Sequence, residues 1–245
     1  MTNPAQPSAL LARLFAPGIA TAELREDADA SLLYPAEAAC CAGFAPRRMT
    51  DFVAGRLCAR RALADLGIGN FPIAIQADRS PQWPPGITGS ISHTDGYRCA
   101  VAAREAAVGS IGVDVEILGR VTCDVAALVL TPHETDFLST LSSAARMHAA
   151  TIIFSAKEAL YKCQYPIGRQ WLDFRDVTVE LVPPDLAYPS DVDRAAFAGS
   201  FRVAASFAGR GTGRVIPSLQ GRFSIDGALV ATGITLRRPS TDVDA

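Results

Sequence analysis

No Cys-x-x-Cys pair occurs among the six cysteines, and no histidine stands at zinc-finger spacing from any of them. That excludes zinc ribbons, zinc fingers and dithiol redox centres. Cys40, Cys41, Cys58, Cys99, Cys123 and Cys163 read instead as small hydrophobes in a reducing compartment. No stretch reaches the ~18 unbroken apolar residues of a membrane span. The opening MTNPAQPSALLARLF has neither the basic start nor the long apolar core of a secretory signal, so a soluble cytoplasmic protein is expected. A basic excess is also missing: 23 Lys and Arg face 25 Asp and Glu, for a net charge of −2. That argues against a nucleic-acid binder. There is no G-x-x-x-x-G-K-[ST] phosphate loop and no G-x-S-x-G nucleophile elbow. The glycines of AGRGTGR lack the strand-to-helix setting of a dinucleotide site. No serine, cysteine and histidine arrangement suggests covalent catalysis.

What is present is a chain of 245 residues, 49 % hydrophobic, enough for one domain or two tightly packed halves. Up to about Pro46 the chain reads as irregular, with one or two short elements. Thr50 is expected to cap a helix over DFVAGRLCARRALADL that Gly67 ends. Phe52, Leu57, Ala59, Leu63 and Leu66 would be its buried stripe, and Arg56 and Arg60 share a face. FPIAIQA is strand-like, followed by the loop DRSPQWPPG. ITGSISH, YRCAVAAR and VGSIGVDVE then predict a three-stranded antiparallel meander, with Thr94-Asp95-Gly96 as its first turn. A broken helical stretch runs from Thr122 to about Leu141, with Pro132 starting a new helix. A long helix from about Ser143 should stop before Pro166. DVTVELV, GSFRVAASF and GRFSIDGALVATGITLR read as β, with VPPDLAYPS and AGRGTGR as loops and a polar tail. The order is thus helix then sheet, twice over, which suggests two similar halves meeting near residue 118.

Four groups of residues could carry chemistry. In the strand GVDVE, alternation puts Val113 and Val115 on one face and Asp114 and Glu116 on the other, Cα atoms about 6–7 Å apart. Two such carboxylates repel unless a cation or protons intervene, and a hard divalent ion prefers oxygen ligands. An ordinary solvated strand face explains a lone D-x-E equally well. In FSAKEALYK, Glu158 and Lys162 lie one helical turn apart, with Phe154 one turn earlier. A surface ion pair is the bland reading. The helix is so apolar, however, that charges on it need partners. His93 ends a strand that carries Ser90 and Ser92 on its opposite face. Arg47, Arg48, Arg56, Arg60 and Arg61 form the densest basic cluster, suited to phosphates or simply to water.

GSISHTDGYRCAVAAR, IGVDVE and FSAKEALYK, in this order and spacing, resemble the three signature motifs of phosphopantetheinyl transferases. The upstream RRMTDFVAGRLCARRALADLG and SPQWPPG resemble the bacterial subgroup typified by enterobactin-synthase component D and its mycobacterial relatives. The likeness covers about Arg47 to Asp176. It implies an α+β fold of two pseudo-symmetric halves, each a long helix packed on a small antiparallel sheet, with the active site in the cleft between them. The halves would be 1–117, with coenzyme A phosphate contacts and the first metal ligands, and 118–245, with a catalytic helix at 145–164. By position, the resemblance makes Asp114, Glu116 and Glu158 ligands of Mg²⁺, with Mn²⁺ an alternative. It makes Arg48, Arg56, Arg79, Ser92, His93 and Lys162 contacts of coenzyme A, with His93 at the 3′-phosphate and Lys162 at the pyrophosphate. Phe154, Tyr161 and Trp171 would line the pantetheine pocket, although core packing explains them as well.

The implied reaction moves the 4′-phosphopantetheine arm of coenzyme A to a serine of an apo carrier protein and releases adenosine 3′,5′-bisphosphate. Glu158 would be general base, metal ligand or both, beside Lys162. The expected partners are coenzyme A and apo carrier proteins of siderophore, polyketide or fatty-acid synthesis. Neither nucleic acid nor membrane is expected as a partner, and a monomer is expected. Two alternatives stay open on the residues alone. One is another metal-dependent phosphoryl enzyme, such as a hydrolase; the other is a non-catalytic module that binds coenzyme A or a carrier.

Overall fold

The computed structural model describes residues 9–169, 171–182, 197–205 and 219–236. The predicted loops at 183–190 and 208–214, most of the segment after Pro183 and the tail from 237 lie outside the described residues. None of the described helices is long and apolar enough to cross a membrane.

The first half begins with α1 (Ala9–Ala12), β1 (Ala20–Leu24) and α2 (Pro35–Ala38), followed by the long helix α3 (Pro46–Asp65). β2 (Ile87–Thr94) and β3 (Tyr97–Arg104) form a hairpin, and β1 pairs with the other edge of β3, giving the sheet order β1-β3-β2. The second half opens on β4 (Ser110–Ile117) and continues through α4 (Cys123–Val129), α5 (Pro132–Ser139) and α6 (Ser143–Gly168). It ends on β5 (Val177–Val182), β6 (Phe197–Ala205), β7 (Leu219–Asp226) and β8 (Leu229–Leu236), in an antiparallel sheet ordered β4-β8-β7-β6-β5.

The fold is therefore the expected α+β arrangement, and its layers run α3, first sheet, second sheet, α6. Cys58, Ala59, Ala62 and Leu63 of α3 pack on Ala100 and Ala102 of β3. On the far face of β3, Tyr97, Cys99 and Val101 meet Val113 and Val115 of β4, with Leu10, Leu11 and Leu14 wedged between the sheets. α6 covers the outer face of the second sheet through residues such as Ile152, Ala156 and Leu160.

Several expectations need correction. Thr50 is not a cap. Pro46 supplies the first residue of α3, where its missing N–H costs nothing, and the Thr50 hydroxyl bonds the Pro46 carbonyl inside the helix. Leu57 and Leu66 are only half-buried, because the small residues Ala54, Gly55, Ala59 and Ala62 let the sheet approach instead. α6 runs through Pro166 to end on Arg169 in the left-handed region. FPIAIQA is extended but joins no sheet, making only a single bridge between Ile75 and Pro81. The meander is also broken: β4 forms no ladder with β3 and edges the second sheet beside β8. A division at 117 counts this strand with the first half. Gly67, by contrast, ends α3 as expected at φ +78°, with the Ile68 N–H reaching Leu63 O and the Gly67 N–H reaching Ala64 O.

The halves repeat one another. β1-β3-β2 corresponds to β4-β8-β7, and α2–α3 to α5–α6. A buried glutamate nails each copy together. Glu37 accepts from Tyr34 N (2.9 Å), Arg60 Nη1 (2.7 Å) and Ile73 N (2.9 Å). Glu134 accepts from Thr131 N (2.7 Å), Lys157 Nζ (2.7 Å) and Val179 N (2.7 Å). Each glutamate is the third residue of a helix whose first is proline. In both halves 23 residues separate the acid from its base. That base also donates to the carbonyl two residues before the helix cap, Leu32 or Val129. The buried positions of α3 recur at the same offset in α6, from Phe52 and Ala149 to Leu63 and Leu160.

Candidate active site

The two sheets meet along β2 and β4, which run side by side in the same direction without a backbone ladder. Two serines on the inner face of β2 do the joining. The N–H of Val113 donates to Ser90 Oγ at 3.1 Å, and that of Val115 to Ser92 Oγ at 3.3 Å. These would otherwise be unmet donors on a buried edge.

The alternation read from GVDVE holds: Val113 and Val115 enter the core between the sheets, and Asp114 and Glu116 face α6. α6 lies close because residue 112 is glycine. A Cβ there would stand 1.9 Å from the carbonyl oxygen of Ala159. This approach brings Lys162 onto Asp114. Its ammonium donates to Asp114 Oδ1 at 2.7 Å and to Ser92 Oγ at 3.0 Å, while Ser92 itself donates to the same Oδ1 at 2.8 Å. Asp114 is only 3 % exposed, so it is no solvated strand face. Its Oδ2 is buried with no hydrogen-bond partner. A buried carboxylate oxygen without a donor is costly, and the missing partner is a positive or proton-bearing group.

Asp114, Glu116, Glu158, Ser92 and Phe154 border one cavity of about 410 Å³, together with His93 and Lys162. Burial, then the neighbouring Asp114, pushes the Glu116 carboxyl up to about 7, with Glu158 adding and Lys162 and Arg120 opposing. Burial likewise raises Glu158, against Lys162 and with Asp114. For Lys162 burial alone would lower the pKa. Asp114, its hydrogen bond and Glu158 outweigh that and hold the ammonium above the ordinary lysine range. The site thus holds more negative charge than its single lysine satisfies.

Asp114, Glu116 and Glu158 border one cavity, and their carboxylates suit a divalent cation in chemistry. They are not a closed cage: among the described residues no three His, Cys, Asp or Glu side chains are assembled as a ready-made metal site.

A larger cavity of about 1380 Å³ opens beside the first and shares His93 and Lys162 with it. Arg48, Arg56, Arg79 and Tyr161 also line it. Arg48 lies over the Phe44 ring at 4.1 Å. Arg56 lies over Phe52 at 4.1 Å and donates to Ile73 O at 2.6 Å. Burial pulls Arg56 down to about 10, which leaves it cationic at neutral pH. Arg79 stands in a turn at φ +71°. Ser92 does not line this cavity; it is buried beneath Lys162 and Asp114. Trp171 lies elsewhere too. It is 78 % exposed, meets Tyr161 edge-on at 5.3 Å, and borders a third cavity of about 200 Å³ with Glu158, Tyr161 and Phe174. Phe154 stacks on Phe174.

Sequence reasoning missed three residues of the large cavity. Asp78 and Arg169 form an ion pair across it, from the first half to the end of α6. Asp51 of α3 lies between His93 and Arg98. Only the placement of Asp51 on the arginine-bearing face of its helix could have signalled it. The isolated pair Asp78–Arg169, joined across the fold, left no local pattern.

Known proteins resemble this chain over most of its length. Residues 35–103 match the model described as the 4′-phosphopantetheinyl transferase N-terminal domain, and residues 110–204 match that of the 4′-phosphopantetheinyl transferase superfamily. The chain is 34 % identical over 215 residues to the 4′-phosphopantetheinyl transferase Svp of Streptomyces mobaraensis, covering 87 % of this chain and 82 % of Svp. It is 34 % identical over 222 residues to the 4′-phosphopantetheinyl transferase PptT of Mycobacterium tuberculosis, covering 89 % and 92 %. Enterobactin synthase component D of Escherichia coli K12 is 36 % identical over 118 residues, 47 % of this chain and 54 % of that protein.

Proposed function

This chain belongs to the 4′-phosphopantetheinyl transferase superfamily, and from that premise we propose that it moves the phosphopantetheine arm of coenzyme A onto a serine of an apo carrier protein. The observation that carries the site assignment is the buried, unpartnered Oδ2 of Asp114 beside Glu116, Glu158 and Lys162.

Arg48, Arg56, Arg79 and His93 bind the nucleotide-side phosphates in the large cavity, where the two guanidiniums stacked on Phe44 and Phe52 are held ready. Lys162, shared by both cavities, places the pyrophosphate at their junction. Ser92 holds Lys162 and Asp114 in register. Tyr161 and Trp171, with Phe154, offer apolar surface for the pantetheine arm. Asp114, Glu116 and Glu158 would hold Mg²⁺, or Mn²⁺, which when bound offsets charge on the pyrophosphate. Glu158, its carboxyl raised by burial, takes the proton of the carrier serine directly or through a water. The serine oxygen bonds the phosphorus that bears the pantetheine arm. The bond to the adenylate-side oxygen breaks, and adenosine 3′,5′-bisphosphate leaves.

By chain position, residues 1–117 bring the phosphate contacts and also Asp114 and Glu116, the latter two on the strand that edges the second sheet. Residues 118–245 bring the helix at 145–164 and its sheet. We assign the protein to the cytoplasm, acting as a monomer. The test is intact-mass measurement of apo carrier proteins incubated with coenzyme A and Mg²⁺. The parent should add one phosphopantetheine arm, and Asp114→Ala and Glu158→Ala should add none while staying folded. Near-normal transfer by either variant at saturating Mg²⁺ would sink the assignment.

A further inference from the structure

Asp51 is one of three acidic residues in the wall of the large cavity, with Asp78, which is paired with Arg169, and Glu105. A carboxylate there repels the ligand unless it organises the cations that bind it. Its two oxygens have separate surroundings. Oδ1 accepts from Nε of Arg98 at 2.8 Å. Arg98 is 6 % exposed, and a second carboxylate, Asp27, meets its Nη1 at 3.2 Å, so this side of Asp51 is fixed. Oδ2 lies 3.6 Å from Nδ1 of His93. His93 and Arg98 are cross-strand partners in the β2–β3 register, so one carboxylate of α3 straddles a pair on the sheet beneath it. The imidazole makes no hydrogen bond to the described residues, and it borders both cavities.

We propose that Asp51 is a positioning residue for the 3′-phosphate of coenzyme A. Its Oδ2 accepts from the Nδ1–H of His93 and so favours the doubly protonated ring, whose Nε2–H is then free to donate to the phosphate, while Arg98 holds Asp51 in place. This rests on the reading of His93 given above. The separation of 3.6 Å is longer than a hydrogen bond and within ion-pair range. Such contacts commonly tighten when the ligand arrives. Outer carboxylate partners of this kind fix the charge and orientation of a ligand-bearing histidine. Asp51 would thus act on selectivity for the 3′-phosphate and not on the chemistry of transfer.

The experiment is a binding cycle on the full chain, by calorimetry, with coenzyme A and with 3′-dephospho-coenzyme A. The proteins are the parent, Asp51→Asn, His93→Ala and the double variant. Asparagine keeps an oxygen for Arg98, so the fold is retained. Asp51→Glu, which keeps the charge but displaces it by one methylene, runs the same cycle if Asn does not fold. Asp51→Asn should weaken coenzyme A about 10-fold, the low end for an outer partner of a ligand-bearing histidine. Affinity for the dephospho compound should be unchanged, and the double variant should be no weaker than His93→Ala. If His93→Ala keeps the full preference for coenzyme A over the dephospho compound, the reading of His93 fails and the proposal falls with it. If His93→Ala loses that preference but Asp51→Asn weakens both compounds alike, or its loss adds in full to that of His93→Ala, the reading stands. Asp51 is then only the counter-ion of Arg98, and the proposal is overturned.

Discussion

Replacing Lys157 by methionine should lower the melting temperature by roughly 10 °C, and the structure says why. Lys157 and Glu134 are 2 % and 1 % exposed. The ammonium donates to Glu134 Oε2 at 2.7 Å and to the carbonyls of Val129 and Phe174 at 2.8 Å each, so all three of its protons are placed. Burial still pulls the Lys157 pKa below the ordinary lysine value, against Glu134, so the pair is not a large net gain by itself. Removing one partner is another matter, because a buried charge is then left uncompensated, at about 3–5 kcal/mol. For a chain of this size each kcal/mol is worth about 2–4 °C. Many buried pairs can be exchanged for apolar residues without loss, but this one also satisfies four backbone groups: Val129 O, Phe174 O, Thr131 N and Val179 N. Lys157→Met/Glu134→Leu should therefore fail to restore the parent's stability. The matching change in the first half, Arg60→Met, should cost less, since the Arg60 side chain is 15 % exposed and water can replace part of what is lost. Thermal denaturation followed by circular dichroism reads all four proteins. Melting of Lys157→Met with the parent, full recovery in the double variant, or greater damage from Arg60→Met would each show that the buried pair does not hold these backbone groups.

Other outcomes follow from single contacts. Gly112→Ala should destabilise by about 3 kcal/mol or fail to fold, because its Cβ meets backbone that cannot yield; a melting curve like the parent's would contradict this. Ser90→Ala should cost about 1–3 kcal/mol in urea denaturation by leaving the Val113 N–H unmet in the seam between sheets; no loss would mean the seam does not depend on it. Among the six thiols, exposed Cys123 should react first with a thiol reagent at neutral pH. Burial pushes Cys58 and Cys163 up to about 12 and Cys99 well above its usual value, so rapid labelling of any of these three by mass spectrometry would count against the core described above. Added Mg²⁺ should raise the melting temperature of the parent by mass action and leave Asp114→Asn unmoved; an equal rise in both would place the ion elsewhere.

How much of this was legible in the sequence depends on the range of the interaction that fixes each residue. Asp114 and Glu116 were readable because strand alternation is local, and Glu158 and Lys162 because one helical turn is local. The helix ends at Gly67 and Pro132 were readable from backbone chemistry. The fate of β4 was not. Hairpin rules favour pairing it with β3, but its N–H and C=O groups find β8 from the far end of the chain. β1 escaped notice because ATAEL has little strand character and is held by its register against β3. The internal repeat did leave a trace, in Pro35 and Glu37 against Pro132 and Glu134. Each motif is followed by a base at the same spacing, but one acid-to-base spacing means nothing until both pairs are seen to be buried.

The same limit explains why local pattern left a solvated strand face open for Asp114, which is in fact nearly inaccessible. Its burial follows from where the halves meet. β2 and β4 lie together without a ladder, so side chains must satisfy the edge, and the pattern of strand residues does not encode such contacts. Ser92 meets the Val115 N–H and with the same oxygen engages Asp114 and Lys162. Closing the seam and orienting the carboxylate are thus one act of one hydroxyl. Ser92→Ala should therefore lose stability and arm transfer together, whereas Ser90→Ala, one pleat away and touching neither Asp114 nor Lys162, should lose stability with transfer retained by the folded protein. Equal loss of transfer in both variants, measured well below their melting temperatures, would show that the seam as a whole holds the site and that Ser92 has no separate part in it.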